Sequence, residues 1–242
     1  MPIDDVLTLD RKIRACLFDM DGLLINTEDI YTATLNEILA HHGKGPLTWD
    51  VKIHLQGLPG PVAAEKVIKT YDLPLTWEEY ERLNVEVQSN KWGDCAFLPG
   101  ALELIKHLKS KNIPIAICTS SGKYKFENKT KHLQHGFELF DAVVTGDDKR
   151  IPEGRGKPFP DIWQVGLKQL NEADGTDIKP EDCLVFEDGI PGVKAGLAFG
   201  AYVIWVPHPG AVEYLGDTVQ LLNGNGEILK SLEDLEKSKY GL

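Results

Sequence analysis

Short apolar runs and stretches of helical periodicity take turns along most of this chain, and the switches between them mark its predicted elements. Residues 13–18 form a partly β-branched apolar run that gives way to acids and a glycine, which reads as a buried strand entering a tight loop. A helix follows. Asn26 and Thr27 offer N-caps, Glu28 and Asp29 place acid in the first turn, and Tyr31, Leu35, Ile38 and Leu39 share a face before residues 43–46 end it. Residues 60–72 and 76–91 read as two more helices, the second opened by Thr76 with Glu79 three positions on, a capping-box pattern. Pro99 and Gly100 mark the next break. Beyond them a helix carrying Ala101, Leu104, Ile105 and Leu108 leads to a strand at 113–118. Strand-like runs at 142–145, 183–186 and 202–206 then alternate with helical patterns near 124–134, 160–171 and 190–199, and NGNG at 223–226 reads as a turn.

This alternation predicts an α/β fold with a Rossmann-like parallel sheet and helices on both faces. The helical stretch between the first two strands, at roughly 70 residues, is too long for a plain crossover and predicts an inserted, all-helical cap domain. The expected division is a core from residues 1–25 and 98–242 and a cap from residues 26–97. A chain of 242 residues, 42% of them hydrophobic, can build a substantial core. Its formal charge of −11, without any long basic run, argues against nucleic acid and anionic membrane as partners. Cys16, Cys95, Cys118 and Cys183 lack zinc-like spacing and read as reduced core residues. The opening 14 residues carry no apolar signal-peptide core, and no run reaches the ~18 apolar residues of a membrane span. The expectation is a cytoplasmic, monomeric protein, with the nucleus left open, acting on a small molecule.

Candidate chemistry collects where predicted strands end. Asp19 and Asp21 follow the first strand, at the sheet edge where open α/β proteins bind ligands, and Gly22 lets the backbone turn sharply behind them. Two such carboxylates repel unless a cation, a shared proton or solvent separates them. The second long strand ends in Thr119, Ser120 and Ser121, hydroxyls with free amides that suit a phosphate cradle and would equally suit an ordinary helix cap. Gly156, Lys157 and Pro158 precede a helix, and Glu187 and Asp188 close another strand. A few hard oxygen ligands of this kind suit Mg²⁺ better than zinc. A lone DxD is a weak signal; four such clusters in order are not.

Together FDMDGLLINTE, TWDVK at 48–52, CTSSG, GDD with GKPFPDI, and CLVFED resemble the phosphatases of the haloacid dehalogenase (HAD) superfamily, most of all its pseudouridine-5′-phosphatase group. The resemblance implies a Mg²⁺-dependent phosphomonoester phosphatase working through an aspartyl phosphate. It makes Asp19 the nucleophile, Asp21 the general acid and base with a pKa raised by its surroundings, and Thr119, assisted by Ser120 and Ser121, the binder of phosphoryl oxygens. Lys157 would neutralise charge between nucleophile and substrate. The metal would sit on Asp19, the carbonyl of Asp21 and Asp188, with Glu187 a ligand or its neighbour. Gln56 and Gly57 fall where capped relatives carry a substrate loop. Pseudouridine 5′-monophosphate is the leading substrate, with a sugar or glycerol phosphate as the alternative. A β-phosphoglucomutase-like mutase is less favoured, because the histidine such enzymes carry twelve residues after the nucleophile is Tyr31 here, and residues 53–65 contain no lysine or arginine. Asp21 with Glu187 and Asp188 argues against dehalogenase chemistry, and the helical insert against a receiver domain. A non-catalytic binding protein would be expected to have lost the nucleophile or the lysine, and both are present.

Overall fold

Burial on both faces of every central strand decides the architecture of the computed structural model, which describes residues 12–56, 58, 60–89 and 91–242, without the side chains of Thr218 and Val219. The first eleven residues, and Gly57 of the expected substrate loop, lie outside the described residues. Six strands, β1 (Ala15–Phe18), β2 (Ile115–Cys118), β3 (Ala142–Val144), β4 (Cys183–Glu187), β5 (Tyr202–Trp205) and β6 (Gly226–Ile228), form one sheet in the order β3-β2-β1-β4-β5-β6. All neighbouring pairs run parallel. Parallel strands need crossovers, and the helices provide them. Between β1 and β2 come α1 (Thr27–His41), α2 (Trp49–Lys52), α3 (Gly60–Tyr71), α4 (Trp77–Ser89) and α5 (Ala101–Ser110). Then α6 (Lys123–Thr130) and α7 (Gln134–Phe137) precede β3, α8 (Asp161–Asp174) precedes β4, and α9 (Ile190–Phe199) precedes β5.

Because side chains alternate along a strand, each strand serves two cores. Cys16, Phe18, Ile115, Ile117, Leu184 and Phe186 pack on one face with Leu104, Ile105 and Leu108 of α5. Ala15, Leu17, Ala116, Cys118 and Val185 pack on the other with Trp163, Leu167 and Leu170 of α8 and Val193 and Phe199 of α9. A third cluster, of Leu35, Ile38 and Leu39 with Ala64, Val67, Leu73 and Tyr80, belongs to α1, α3, α4 and their connections. Three of the inserted helices, α1, α3 and α4, thus have a core of their own. All four cysteines are buried and free, and among the described residues no helix is long and apolar enough to cross a membrane.

Two local readings change and one holds. Asn26 stands at the N-cap of α1, yet its side chain does not cap the helix; Oδ1 accepts from Ala96 N at 2.8 Å instead. The partner lies 70 positions away, so a tertiary contact overrides the local motif. The Thr76 box is complete: Thr76 N donates to Glu79 Oε2 at 2.8 Å and Glu79 N to Thr76 Oγ1 at 3.2 Å. NGNG is only half a turn, since Asn223 and Gly224 take left-handed conformations while Gly226 starts β6. A Cβ at Gly226 would strike the carbonyl of Val203, so this glycine permits close strand pairing.

Candidate active site

Strand order brings the acids together: β1 and β4 are neighbours with Phe18 opposite Phe186, and β2 flanks β1 on its other side. Asp19 therefore emerges beside Glu187 and Asp188, and Thr119 to Ser121 beside Asp21. Lys157 reaches in from the segment before α8. Its Nζ lies 2.5 Å from Asp19 Oδ1 and 2.6 Å from Glu187 Oε1, over the ring of Trp163 at 4.6 Å. Glu187 Oε2 accepts from Asp188 N at 3.0 Å and Gly189 N at 3.1 Å, which fixes the turn into α9. A Cβ at Gly192 would land in the Glu187 carboxylate, and one at Gly22 would meet Asp188 and Glu28, with φ of +80° at Gly22 besides. Both glycines are there because the acids converge. Asp19, Glu187 and Asp188 each offer an oxygen within 4.8 Å of the others.

Asp21 has a different environment. Lys129 of α6, fully buried, sits 2.5 Å from Asp21 Oδ1, 2.6 Å from Tyr31 Oη and 2.9 Å from Ser121 Oγ, between the rings of Tyr31 and Trp92 at 5.0 and 5.1 Å. Ser121 Oγ donates to Asp21 Oδ2 at 2.7 Å, and Thr119 Oγ1 to the same oxygen at 3.4 Å. These hydroxyls, expected to face a phosphate, are turned toward Asp21, while exposed Ser120 lines the cavity.

The two aspartates consequently differ in proton affinity. Burial pushes Asp19 up to about 7 against the pull of Lys157, with Glu187 and Asp21 adding repulsion. Asp188 is driven well up by burial and by Glu187 and Asp19. Burial also raises Asp21, but Lys129 and the Ser121 hydroxyl outweigh it and hold the carboxyl below its ordinary value. This corrects the expectation that its neighbours raise it: the decisive neighbour is a cation.

A cavity of about 620 Å³ opens from these residues toward the inserted helices. Gln56 lines it and reaches Glu28 Oε2 at 3.3 Å and Asp188 Oδ2 at 3.5 Å, so it spans from the insertion to the acid cluster. Lys52, also lining it, binds the Glu28 carbonyl at 2.8 Å, Glu28 Oε2 at 3.1 Å and Thr32 Oγ1 at 2.6 Å. Sequence reasoning missed Lys129, Lys52 and Glu28. Each lies on a helix and looks like an ordinary surface charge until its distant partner is known. Lys149, Arg150 and Arg155, near Lys157 in the sequence, are exposed, with Arg150 paired to Asp148 and Arg155 to Asp161.

Residues 16–206 match the family described as haloacid dehalogenase-like hydrolase. A probable pseudouridine-5′-phosphatase of Saccharomyces cerevisiae is 71% identical over 95% of this chain and 98% of its own length. Another of that description, from Drosophila melanogaster, is 36% identical over 96% of this chain and 95% of its own. The crystal structure of a HAD family hydrolase from Deinococcus radiodurans, with bound phosphate and sodium, shares the fold at a TM-score of 0.73 and 24% identity, covering 95% of this chain and 96% of that one. With these likenesses and an acid cluster at the strand ends, the chain belongs to the haloacid dehalogenase-like hydrolases, as a phosphatase of that family.

Proposed function

We propose that this phosphatase is Mg²⁺-dependent and hydrolyses a small phosphorylated metabolite through an aspartyl phosphate, with pseudouridine 5′-monophosphate as its substrate. The carrying observation is the acid cluster around one ammonium: Asp19, Glu187 and Asp188 are buried, and Lys157 can balance only part of their charge. A buried excess of carboxylates calls for protons or a cation.

The residues fit a hard divalent ion. Their donors are oxygens, as Mg²⁺ requires. Both Glu187 oxygens already accept bonds from Lys157 and two amides, so Asp19, Asp188 and the Asp21 carbonyl would hold the ion, with Glu187 fixing Lys157 and the turn after β4. When bound, Mg²⁺ supplies charge neutralisation at the phosphoryl oxygens.

The protein groups divide the remaining work. Lys157 fixes Asp19 through Oδ1 and lowers the repulsion between this carboxylate and an incoming phosphate, so that Asp19 can attack phosphorus in line. Asp21 rests as a carboxylate held by Lys129 and Ser121. A phosphate dianion beside it raises its proton affinity, which lets Asp21 take up a proton with the substrate and pass it to the departing oxygen. Restored to a carboxylate, it then draws a proton from the water that hydrolyses the aspartyl phosphate. The inserted helices cover the site and limit access of other water.

Two relatives described as probable pseudouridine-5′-phosphatases, one 71% identical, support the substrate. A mutase, which must also grip a second phosphate, is disfavoured, since Lys52 is already paired with Glu28 and Tyr31 with Lys129. Phosphate release from para-nitrophenyl phosphate and from pseudouridine 5′-monophosphate, with and without Mg²⁺, tests the reading. Asp19→Asn is expected to lose about a thousandfold or more in kcat. Equal activity of the two proteins, or turnover indifferent to chelator, would refute it.

A further inference from the structure

The part of the cavity enclosed by the inserted helices contains polar groups to which phosphate chemistry assigns no task. Along α4, Glu81, Asn84, Val85 and Gln88 recur at helical spacing and line the cavity. Their polar members form a relay with one direction. Gln88 Nε2 donates to Asn84 Oδ1 at 2.7 Å, Asn84 Nδ2 donates to Glu81 Oε2 at 3.4 Å, and Lys125 donates to Glu81 Oε1 at 3.4 Å. Every bond points at Glu81. At the other end the Gln88 carbonyl is left over: Oε1 is buried without a hydrogen-bond partner, in a residue only 2% exposed. Buried acceptors are seldom left in this state unless something else completes them.

What completes it can be argued from its surroundings. The volume, about 620 Å³, is that of a site for an organic molecule and far more than a phosphate needs. Leu35, Leu55, Val67 and Tyr80 give it apolar walls. A polyol turns hydroxyls in all directions and would press some of them against these walls unpaired. A flat heterocycle instead offers two apolar faces and confines its polar atoms to an edge. Gln88 suits such an edge, because its bond to Asn84 uses one Nε2 hydrogen and leaves a second donor and the idle Oε1 on the same amide. A donor next to an acceptor is the complement of a ring N–H next to a carbonyl.

We infer that Gln88 is a specificity-determining residue for the leaving group, its amide pairing with a ring N–H and adjoining carbonyl on the base of a nucleoside 5′-monophosphate seated between the inserted helices. The inference rests on the phosphatase reading and adds to it the residue that recognises the released nucleoside. Gln88→Met keeps length and helix propensity and removes both polar functions.

The test compares kcat/KM of the wild type and Gln88→Met on pseudouridine 5′-monophosphate, its base-N-methylated derivative, glycerol 3-phosphate and para-nitrophenyl phosphate. The variant is expected to lose about 10- to 100-fold on the unmodified nucleotide and less than about threefold on para-nitrophenyl phosphate, which presents no donor. The wild type should disfavour the methylated nucleotide by about tenfold or more, and Gln88→Met should no longer tell the two apart. Equal losses on every substrate, an undiminished nucleotide rate, or a loss confined to glycerol 3-phosphate would each overturn the inference. So would equal use of methylated and unmodified nucleotide by the wild type, a measurement that does not depend on the variant folding. Wild-type turnover of para-nitrophenyl phosphate with no nucleotide activity would remove this inference alone, whereas no Mg²⁺-dependent turnover of any substrate would remove the phosphatase reading.

Discussion

Lys157 with Asp19 and Lys129 with Asp21 are the same pair of side chains in the same site, each joined at 2.5 Å, yet the two aspartates move in opposite directions. Burial is common to both. What differs is how many partners compete on each side. Lys157 is one cation among three carboxylates, so Asp19 is poorly compensated and rises to about 7. Lys129 serves one carboxylate with two hydroxyls beside it, so Asp21 is over-compensated and falls. The local ratio of cations to acids, more than depth, sets the sign. It also separates a site that awaits another positive charge from one that is already complete.

The sharpest way to test this contrast is to remove each ammonium. Lys157→Met should lower kcat by roughly 10²- to 10³-fold, as expected for losing one preorganised positive group at a transferring phosphoryl. Its loss of thermal stability should be largely recovered by Mg²⁺, which takes up the same carboxylates. Lys129→Met should cost about 3–5 kcal/mol in denaturant unfolding, because it strands a buried carboxylate, and Mg²⁺ should not restore it. Recovery of both variants by Mg²⁺, or of neither, would erase the distinction.

Acidity offers a gentler comparison. The fold favours protonated Asp19, so that contribution is whole below the ordinary carboxylate pKa and is lost as pH rises toward about 7. For Asp21 the sign reverses: its contribution is present above the ordinary carboxylate value and lost as pH falls through the lowered one. On the proposed reading, the cluster would take up metal in its deprotonated form. The rise in Tm produced by Mg²⁺ should therefore be larger near pH 7.5 than near pH 5.5, by about a few degrees. A shift independent of pH would contradict the assignment of Asp19 to the metal. The smallest effect belongs to Tyr31→Phe, which deletes one acceptor from Lys129 and keeps the ring; about 1 kcal/mol of stability should go, measured by denaturant midpoint.

The clustering of the candidate site was readable because its acids and hydroxyl lie just after strand ends in short, recognisable phrases, Asp19 and Asp21 after β1, Thr119 after β2 and Asp188 after β4, with Lys157 in GKPFPD ahead of α8. Alternating periods likewise disclosed five of the six strands. β6 escaped because its first residue is a glycine inside a turn-rich tetrapeptide, and its pairing with Val203 is a long-range event. Lys129 escaped because α6, KYKFENKT, looks polar on all sides, and nothing local announces a carboxylate 108 positions earlier. Gln88 was hidden similarly, among five other acids and amides along α4. The fold's framework follows from local pattern; the adjustments of charge inside the site depend on contacts that form only after the chain has closed.

The two passages of chain between the sheet and the inserted helices are bonded to each other. Leu98 N donates to the Leu24 carbonyl at 2.9 Å, Asn26 N to the Ala96 carbonyl at 3.1 Å, and Ile25 bridges Phe97 antiparallel, with the Asn26 side chain adding a further stitch to Ala96. Two separate threads would let the helices swivel about any axis. A laced ribbon resists shearing along its length, so the four cross-bonds hold the inserted helices to one registration over Asp19.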